Sequence, residues 1–537
     1  MGQMNDRRSK ALLGGLTLAA LLPFLNKAYD IDDPLFLWMA QQIIKHPFDP
    51  YGVTVHWSPL AQPMWVAMQN PPLCSYYIAA IGSFAGFGEM AMHIAFLLPA
   101  LAAILGTFAL AKRLCASPVT AALLTLFTPV FLISASHVMC DVMLLAFWMW
   151  AIHFWIAGLE REKWRLFLVS ALLVSGATLT KYFGISLVPL LLAYTLLKER
   201  RFRLHLVYLT LPLLVIMAFE LIAKAKYGHA LFTGAMLYLR DVAVEVRIPL
   251  QVKLLTGCSF VGGCMLGSLF VASARSVKVV FGALGLLIVV GVLFWICVPM
   301  AAATGINGLA VHLQGCLFAT VGMAMLALVV WDFRINQDAD SLLLLLWTVG
   351  TFAFAVFLNW SITARTILPM VPAVSILFMR HWDRVGGSRP GSLTKLRWVG
   401  AAAVISLVVA ATDYSEADAS RAGARYFRER YARTHTRVWF QSHWGFQFYM
   451  QKWKAKPLVQ NAPIHRDDMM IIPSNNADYL PVPKPADPVA EIICPIMPLA
   501  ATFAPGTGAG FYSSVRGPIP WAIAQTAPAR FEAFKFR

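Results

Sequence analysis

The 537-residue chain is poor in charge: only 13% of its residues are Asp, Glu, Lys or Arg, while 59% are hydrophobic and the mean hydropathy is +0.65. A soluble domain carries roughly 25% charged residues, so an ordinary water-soluble enzyme is excluded. Apolar stretches of about 20 residues recur along the chain, which predicts a polytopic α-helical membrane protein. The eight cysteines form no CxxC and no Cys/His ligand spacing. Neither a disulfide framework nor a zinc site is indicated, and the thiols read as small buried hydrophobes. No small-x-small cleavage site follows the apolar run after MGQMNDRRSK, so that run reads as an uncleaved first span. No internal repeat is visible.

Acids are scarcer than bases, 27 against 44, for a formal charge of +17. Much of the excess lies in short loops between apolar segments, as the positive-inside rule expects of a cytoplasmic face. The charge therefore points to membrane lipids as partners and not to nucleic acid.

Arg7, Arg8 and Lys10 precede a first span at about 11–29, which puts the amino terminus inside. The loop from Asp30 to about Pro72 carries Trp38, Trp57, Trp65 and seven prolines. Tryptophan favours the interface and proline breaks long helices, so this first outer loop (30–72) is expected to lie as short surface helices, followed by an interfacial helix over 73–87. Further spans are expected at about 90–113, 118–136, 141–159, 164–180, 183–198, 204–226, 252–272, 278–300, 308–331, 341–359, 363–380 and 396–412, about thirteen in all with the first. They leave the basic clusters around Arg161, Lys198, Arg275, Lys278, Arg380 and Arg389 on the inside. The division is then a membrane body over 1–412 and a small outer α/β domain over 413–537, with strands at 438–440 and 469–472, a helix at 443–452 and a partly irregular Pro- and Gly-rich end at about 481–520.

Candidate chemistry gathers at the outer ends of these spans. Asp30, Asp32 and Asp33 follow the first span; Asp141 opens the fourth; Lys181 ends the fifth; Arg365 opens the twelfth. Outer loops are otherwise poor in positive charge, so Lys181 and Arg365 stand out. Glu220 is an acid at membrane depth, near the outer end of the seventh span.

The strings around these residues resemble one family. D-D-x-x-F-x-x-x-A, with Asp32, Asp33, Phe36 and Ala40, is similar to the D-E-x-x-Y-x-x-x-A string that opens the first outer loop of the GT-C superfamily, the polyprenyl-phosphate-sugar glycosyltransferases, in particular the aminoarabinose-transferase-like and protein-mannosyltransferase-like branches. Asp141, Thr180 with Lys181, and Arg365, Leu368, Pro369 and Pro372 follow in the superfamily's order, and the resemblance covers about residues 10–380. Two positions depart from it: Asn70 precedes Pro71, Pro72 and Leu73 where the family often has Lys or His, and His93 stands where it commonly has Arg.

The resemblance implies a GT-C-like body and an inverting transfer of a sugar from a polyprenyl-phosphate carrier to a lipid, glycan or protein acceptor on the outer face. Lys181 and Arg365 would hold the departing phosphate and Asp32 would be the general base. Asp33 joins it as a catalytic candidate, and Asp30, Asp141, His93, Asn70 and Glu220 support the site. It implies no certain cofactor and leaves room for a divalent cation on the carboxylates. Compact loops favour a bacterial inner membrane, with the site on the periplasmic side. The competing class is a transporter or lipid flippase, which would place its polar groups near the midplane of paired halves. In the outer domain Trp439, His443, Trp444, Phe446 and Tyr449 offer aromatic surface to a glycan.

Overall fold

A computed structural model describes residues 5–57, 60–245, 248–266, 277–299, 307–385, 392–434, 436–475, 480–481 and 485–537. Arg275, Arg389 and the end of the expected 252–272 span lie outside the described residues. The protein is an integral membrane protein of helices with a small mixed sheet near its carboxyl end. Among the described residues, seven helices are long and apolar enough to cross a bilayer: Glu89–Leu114, Cys140–Arg161, Tyr182–Glu199, Leu204–Tyr227, Asn307–Asn336, Ala339–Leu358 and the helix that ends at Tyr431. Counting Pro118–Leu126 with Pro129–Ala135, two helices bent by 65°, gives eight.

Among the described residues the thirteen expected spans are not all found; outside 252–272 and 278–300, which reach beyond those residues, length and proline account for the difference. The first helix, Asp6–Leu21, gives way to a short turn of 3-10 helix containing Pro23. The helix Trp164–Thr180 has 17 residues. The expected span at 363–380 is built from Ala364–Ile367, a 3-10 turn holding Pro369, and Val371–Val385. Proline removes a backbone donor and crowds the preceding turn, which breaks a continuous hydrophobic run into pieces.

Two ends of the bundle are chemically distinct. At one, Lys112 pairs with Asp6 at 2.8 Å, Arg113 with Glu160 at 3.0 Å and Arg380 with Asp338 at 3.0 Å. At the other lie the Asp30–Asp33 turn, the start of Cys140–Arg161, Lys181 and Arg365. The first loop runs there as the helix Asp33–Lys45, a two-stranded pairing of Thr54–Val55 with Gln62–Pro63, and the helices Met64–Ala67 and Leu73–Ala85. Pro34 in the first turn, Asp33 at its start and Lys45 in its last turn suit the Asp33–Lys45 helix and its dipole. Its Phe36, Leu37, Met39, Ala40 and Ile43 are buried.

Small residues set the closest helix crossing. A Cβ added at Gly262 would lie 1.9 Å from the Phe318 carbonyl, and one at Gly322 would lie 2.0 Å from that of Cys258. The helices Leu250–Cys264 and Asn307–Asn336 thus meet backbone to backbone, the packing that glycine permits in membranes.

The helix Ser392–Tyr431 has 40 residues and runs without a break through the boundary expected at 412/413. Beyond it, five strands pair in the order Lys456–Pro457, Val438–Phe440, Met469–Pro473, Ala529–Phe536 and Ala486–Cys494. The first two contacts are parallel and the last two antiparallel. The strands at Val438–Phe440 and Met469–Pro473 and the helix Trp444–Lys452 fall where the sequence predicts them. Residues 501–524 do not stay with the sheet: Phe503, Phe511, Tyr512, Ile519 and Trp521 are buried in the core of the helical body, and Trp521 donates to the Gly263 carbonyl at 2.8 Å.

Candidate active site

The turn Asp30–Asp33 is built by its own carboxylates. Asp33 accepts from the Asp30 N–H at 3.0 Å, and the Asp33 N–H donates back to the Asp30 carbonyl at 3.1 Å. Between them Ile31 sits at φ 49°, the left-handed region, which costs a β-branched residue about 1–3 kcal/mol. The fully buried Asp33 also accepts from the Val138 N–H at 2.9 Å and meets His137 Nδ1 at 3.1 Å. Burial pushes its carboxyl up, but His137 and the donated hydrogen bonds leave it below the usual range. With both oxygens engaged, Asp33 ties the first loop to the 136–139 turn.

That arrangement leaves Asp32 facing the other way, part-exposed, with Oδ2 2.8 Å from Arg365 Nη2. Arg365 is presented from the Ala364–Ile367 turn, whose Thr363 cap accepts from the Thr366 N–H. Its Nη1 lies 2.7 Å from Met139 Sδ and 4.0 Å from Asp141 Oδ2. Asp141, buried in the first turn of Cys140–Arg161, accepts from Lys181 Nζ at 2.7 Å. Lys181 itself caps Trp164–Thr180 in an extended conformation, which swings its side chain off the helix axis. Four residues from four elements thus form one row: Asp32, Arg365, Asp141, Lys181. The guanidinium Nε is buried and has no hydrogen-bond partner among the described residues.

The remaining sequence candidates stand beside this row. Asp30 accepts from the Gly445 N–H at 3.2 Å, joining the first loop to the helix Trp444–Lys452, and burial pushes its carboxyl up to about 6. His93 is buried, with Nδ1 2.7 Å from the Glu89 carbonyl and Nε2 3.2 Å from that of Ser136. Asn70 accepts at its backbone carbonyl from the Tyr51 hydroxyl at 2.7 Å. Glu220 accepts from the Phe232 and Thr233 N–H groups at 2.8 and 2.9 Å, capping the start of Leu231–Glu245. In the carboxyl-terminal part, beyond the helix Ser392–Tyr431, Trp439 and Phe446 are core residues, whereas the Arg516 guanidinium lies over the Trp444 ring.

Behind the row lies a buried polar cluster that the motifs do not mark. The Lys27 ammonium, fully buried, is paired with Asp413 and lies 2.7 Å from His137 Nε2. Tyr512 donates to Asp413 at 2.6 Å and its hydroxyl also meets His137 Nε2. Thr502 links Asp413 to Glu416. The signal that could have found Lys27 is its sign: a lone lysine at the outer end of the first span runs against the positive-inside pattern.

The row sets two cations beside two carboxylates at an end of the helical body, an arrangement suited to an anionic group and a hydroxyl. Among the described residues no group of three or more His, Cys, Asp or Glu side chains converges as metal ligands.

Comparison with known proteins gives one family match over part of the chain and several structural likenesses over most of it. No curated protein matches it. In solved structures, the chain is similar to the oligosaccharyltransferase of Archaeoglobus fulgidus in its apo form, at 14% identity and TM-score 0.48, covering 86% of this chain and 65% of that one. It is similar to ArnT from Cupriavidus metallidurans bound to undecaprenyl phosphate, at 14% identity and TM-score 0.41, covering 86% and 93%. A third is the arabinofuranosyltransferase AftD from Mycobacteria, at 12% identity and TM-score 0.42, covering 99% and 40%. The chain thus spans just under two thirds of the archaeal enzyme's length. Residues 69–222, which include Asp141 and Lys181, match the model of the dolichyl-phosphate-mannose-protein mannosyltransferase family, and the GT-C resemblance carried by the motifs is the one this family match supports.

Proposed function

We propose that this protein is an integral-membrane glycosyltransferase that takes a sugar from a polyprenyl-phosphate carrier and passes it to an acceptor hydroxyl at the membrane surface. The observation that carries this reading is the row itself: Asp32, Arg365, Asp141 and Lys181 come from four separate elements and meet within hydrogen-bond and ion-pair distance. The match at 69–222 supports a polyprenyl-phosphate sugar as the donor class. The carrier's tail would stay in the bilayer while its phosphate meets Lys181 and the unpartnered Nε of Arg365 at the end of the bundle.

In the reaction the bond between the anomeric carbon and the phosphate oxygen breaks, and the leaving phosphate keeps the electron pair. Arg365, with a fork that matches two oxygens, and Lys181, as a point charge, stabilise that developing charge. The acceptor oxygen forms the new bond from the opposite face, with inversion, and its proton passes to Asp32. Asp32 shares its guanidinium partner with the incoming phosphate, so donor binding draws Arg365 away and frees the carboxylate to act. Asp33 holds the turn, and Asp141 aims Lys181. The acceptor is a lipid, glycan or protein reaching the end that carries the sheet; the bases at the opposite end (Lys112, Arg113, Arg380) support a cytoplasmic reading of that end under the positive-inside rule, and with it a site on the periplasmic side of a bacterial inner membrane.

The test is transfer of radiolabelled sugar from a panel of polyprenyl-phosphate sugars into membrane acceptors, wild type against Asp32→Asn at matched amounts. Label that enters an acceptor and is lost in the variant supports class and base together. Transfer that survives the variant keeps the class and moves the base. No transfer from any donor by folded protein overturns the reading in favour of a transporter.

A further inference from the structure

The motifs that compose the site end near residue 380, yet the structure brings a later segment to it. Residues 511–514 run alongside 361–364: the Ala364 N–H donates to the Phe511 carbonyl at 2.8 Å and the Ser514 N–H to the Ile362 carbonyl at 2.8 Å. The Ile362 N–H donates to Ser514 Oγ at 3.1 Å, and the hydroxyls of Ser361 and Ser513 lie 2.9 Å apart. The residue before Arg365 is therefore pinned by backbone to the residue before Tyr512.

The two side chains then meet. The guanidinium carbon of Arg365 lies 5.6 Å from the centre of the Tyr512 ring, within the range in which a ring face attracts a cation. The ring cannot turn freely, because its hydroxyl donates to Asp413 at 2.6 Å and also meets His137. Asp413 is in turn fixed by Lys27 and by the Thr502 hydroxyl at 3.1 Å. All of these groups except Arg365 are buried. Arg365 thus has a carboxylate at one side of its fork and an anchored aromatic ring against it.

We infer that Tyr512 is a positioning residue for Arg365: the 501–512 segment, locked to the Lys27–Asp413 pair, sets where the guanidinium stands and hence how it meets an anionic ligand. The ligand part of this inference rests on the functional reading above; the positioning part does not. Without the ring, the guanidinium keeps its pairing with Asp32 but loses its support on the other side. Without the hydroxyl alone, the ring remains and its orientation loosens.

Two readouts test this on the full-length protein. The first needs no substrate: the rate at which phenylglyoxal modifies Arg365, followed by mass spectrometry of the peptide. Tyr512→Leu is expected to raise that rate several-fold, and Tyr512→Phe, which keeps the ring and the core volume, to raise it less. The second is steady-state transfer, in which Tyr512→Leu is expected to raise the donor KM by about three- to thirty-fold, as the loss of one desolvated cation–ring contact implies, while the acceptor KM stays within about two-fold. Faster modification together with a raised donor KM supports the inference. Faster modification in a protein whose wild type transfers nothing keeps the positioning role and removes the glycosyltransferase reading. An unchanged modification rate in both variants overturns the inference, whatever the transfer activity. So does a donor KM that is unchanged, or an acceptor KM that rises equally. Should Tyr512→Leu fail to fold, Tyr512→Phe decides alone, since an unchanged rate and donor KM there mean that the anchored hydroxyl does nothing for Arg365.

Discussion

Arg365 donates to Asp32 at 2.8 Å across 333 residues of chain, and this one ion pair joins the first loop to the last part of the helical body. On the proposed reading, donor binding is a competition between a carboxylate and a phosphate for one guanidinium. Arg365→Gln is accordingly expected to lower kcat/KM for the donor by about 10²-fold or more, the scale for removing one charge-stabilising donor. Arg365→Lys restores the charge without the fork and should recover only part of the loss. Kinetics with varied donor at fixed acceptor checks both.

Asp141 aims Lys181 from a buried helix start, so the two should behave differently when neutralised. Lys181→Met removes a charge that would face the phosphate and is expected to cost about 10²-fold in kcat/KM. Asp141→Asn keeps the shape and leaves Lys181 without its ionic partner, for a smaller loss, about ten-fold. Equal losses would place Asp141 itself at the reacting atoms.

The Lys27–Asp413 pair is fully buried, and breaking one side strands the other. Lys27→Met is expected to destabilise the protein by about 3–5 kcal/mol, and Lys27→Met with Asp413→Leu should recover only part of it, because the buried Tyr512 and Thr502 hydroxyls then lose Asp413 as an acceptor. Thermal unfolding of the three purified proteins in one detergent measures the difference.

Asp30 titrates at about 6 in the folded protein because it is enclosed, against 3.8 for the free group. A raised acid binds more protons when folded than when unfolded across that interval. Its contribution is therefore most favourable below the lower value and is lost as pH rises through about 6. Each pH unit of the window is worth at most about 1.4 kcal/mol. The melting temperature of the wild type should fall between pH 4.5 and 6.5 relative to that of Asp30→Asn, which lacks the titration.

Gly322 faces the Cys258 carbonyl with no room for a side chain. Gly322→Leu should therefore separate the helices Leu250–Cys264 and Asn307–Asn336 and lower stability by about 1–3 kcal/mol or more. Gly285, with open space around the same added atom, should accept Ala without loss. Unfolding of the pair of variants gives the contrast.

How much of this was legible in the sequence differs by residue. Asp32, Asp141, Lys181 and Arg365 each sit in a short string with fixed spacing and a charge at a helix end, so order along the chain was enough to nominate them together. Asp33 looked the same as Asp32 in one dimension; only the fold shows that the two carboxylates take different partners, Asp33 taking His137 and the Val138 N–H and Asp32 the Arg365 guanidinium. Glu220 signalled a site by its depth; in the structure it caps the next helix, a contact set by the fold of 220–233. Tyr512 and Asp413 gave no such signal. One lies in a Pro- and Gly-rich stretch that reads as irregular, and the other at the end of an apolar run. Their partnership depends on the return of 501–524 to the helical body, a contact nearly 100 residues long-range that no local pattern encodes. Three of the expected spans are interrupted for a related reason: hydropathy registers apolar content, while Pro23, Pro129 and Pro369 mark where a helix is broken or bent.

The 40-residue helix Ser392–Tyr431 is about 60 Å long at 1.5 Å per residue, roughly twice the hydrocarbon thickness of a bilayer. Its first half answers to the lipid, and its second half carries Asp413, Glu416 and the ground on which the sheet packs. A stiff rod of that kind converts tilt into displacement. Thinner or thicker bilayers shift the tilt of a spanning helix, and the contacts that run from Asp413 through Tyr512 to Arg365 give such a shift a path to the guanidinium. Reconstitution in lipids of graded chain length, with the phenylglyoxal reactivity of Arg365 as the readout, is expected to show whether bilayer thickness is felt there.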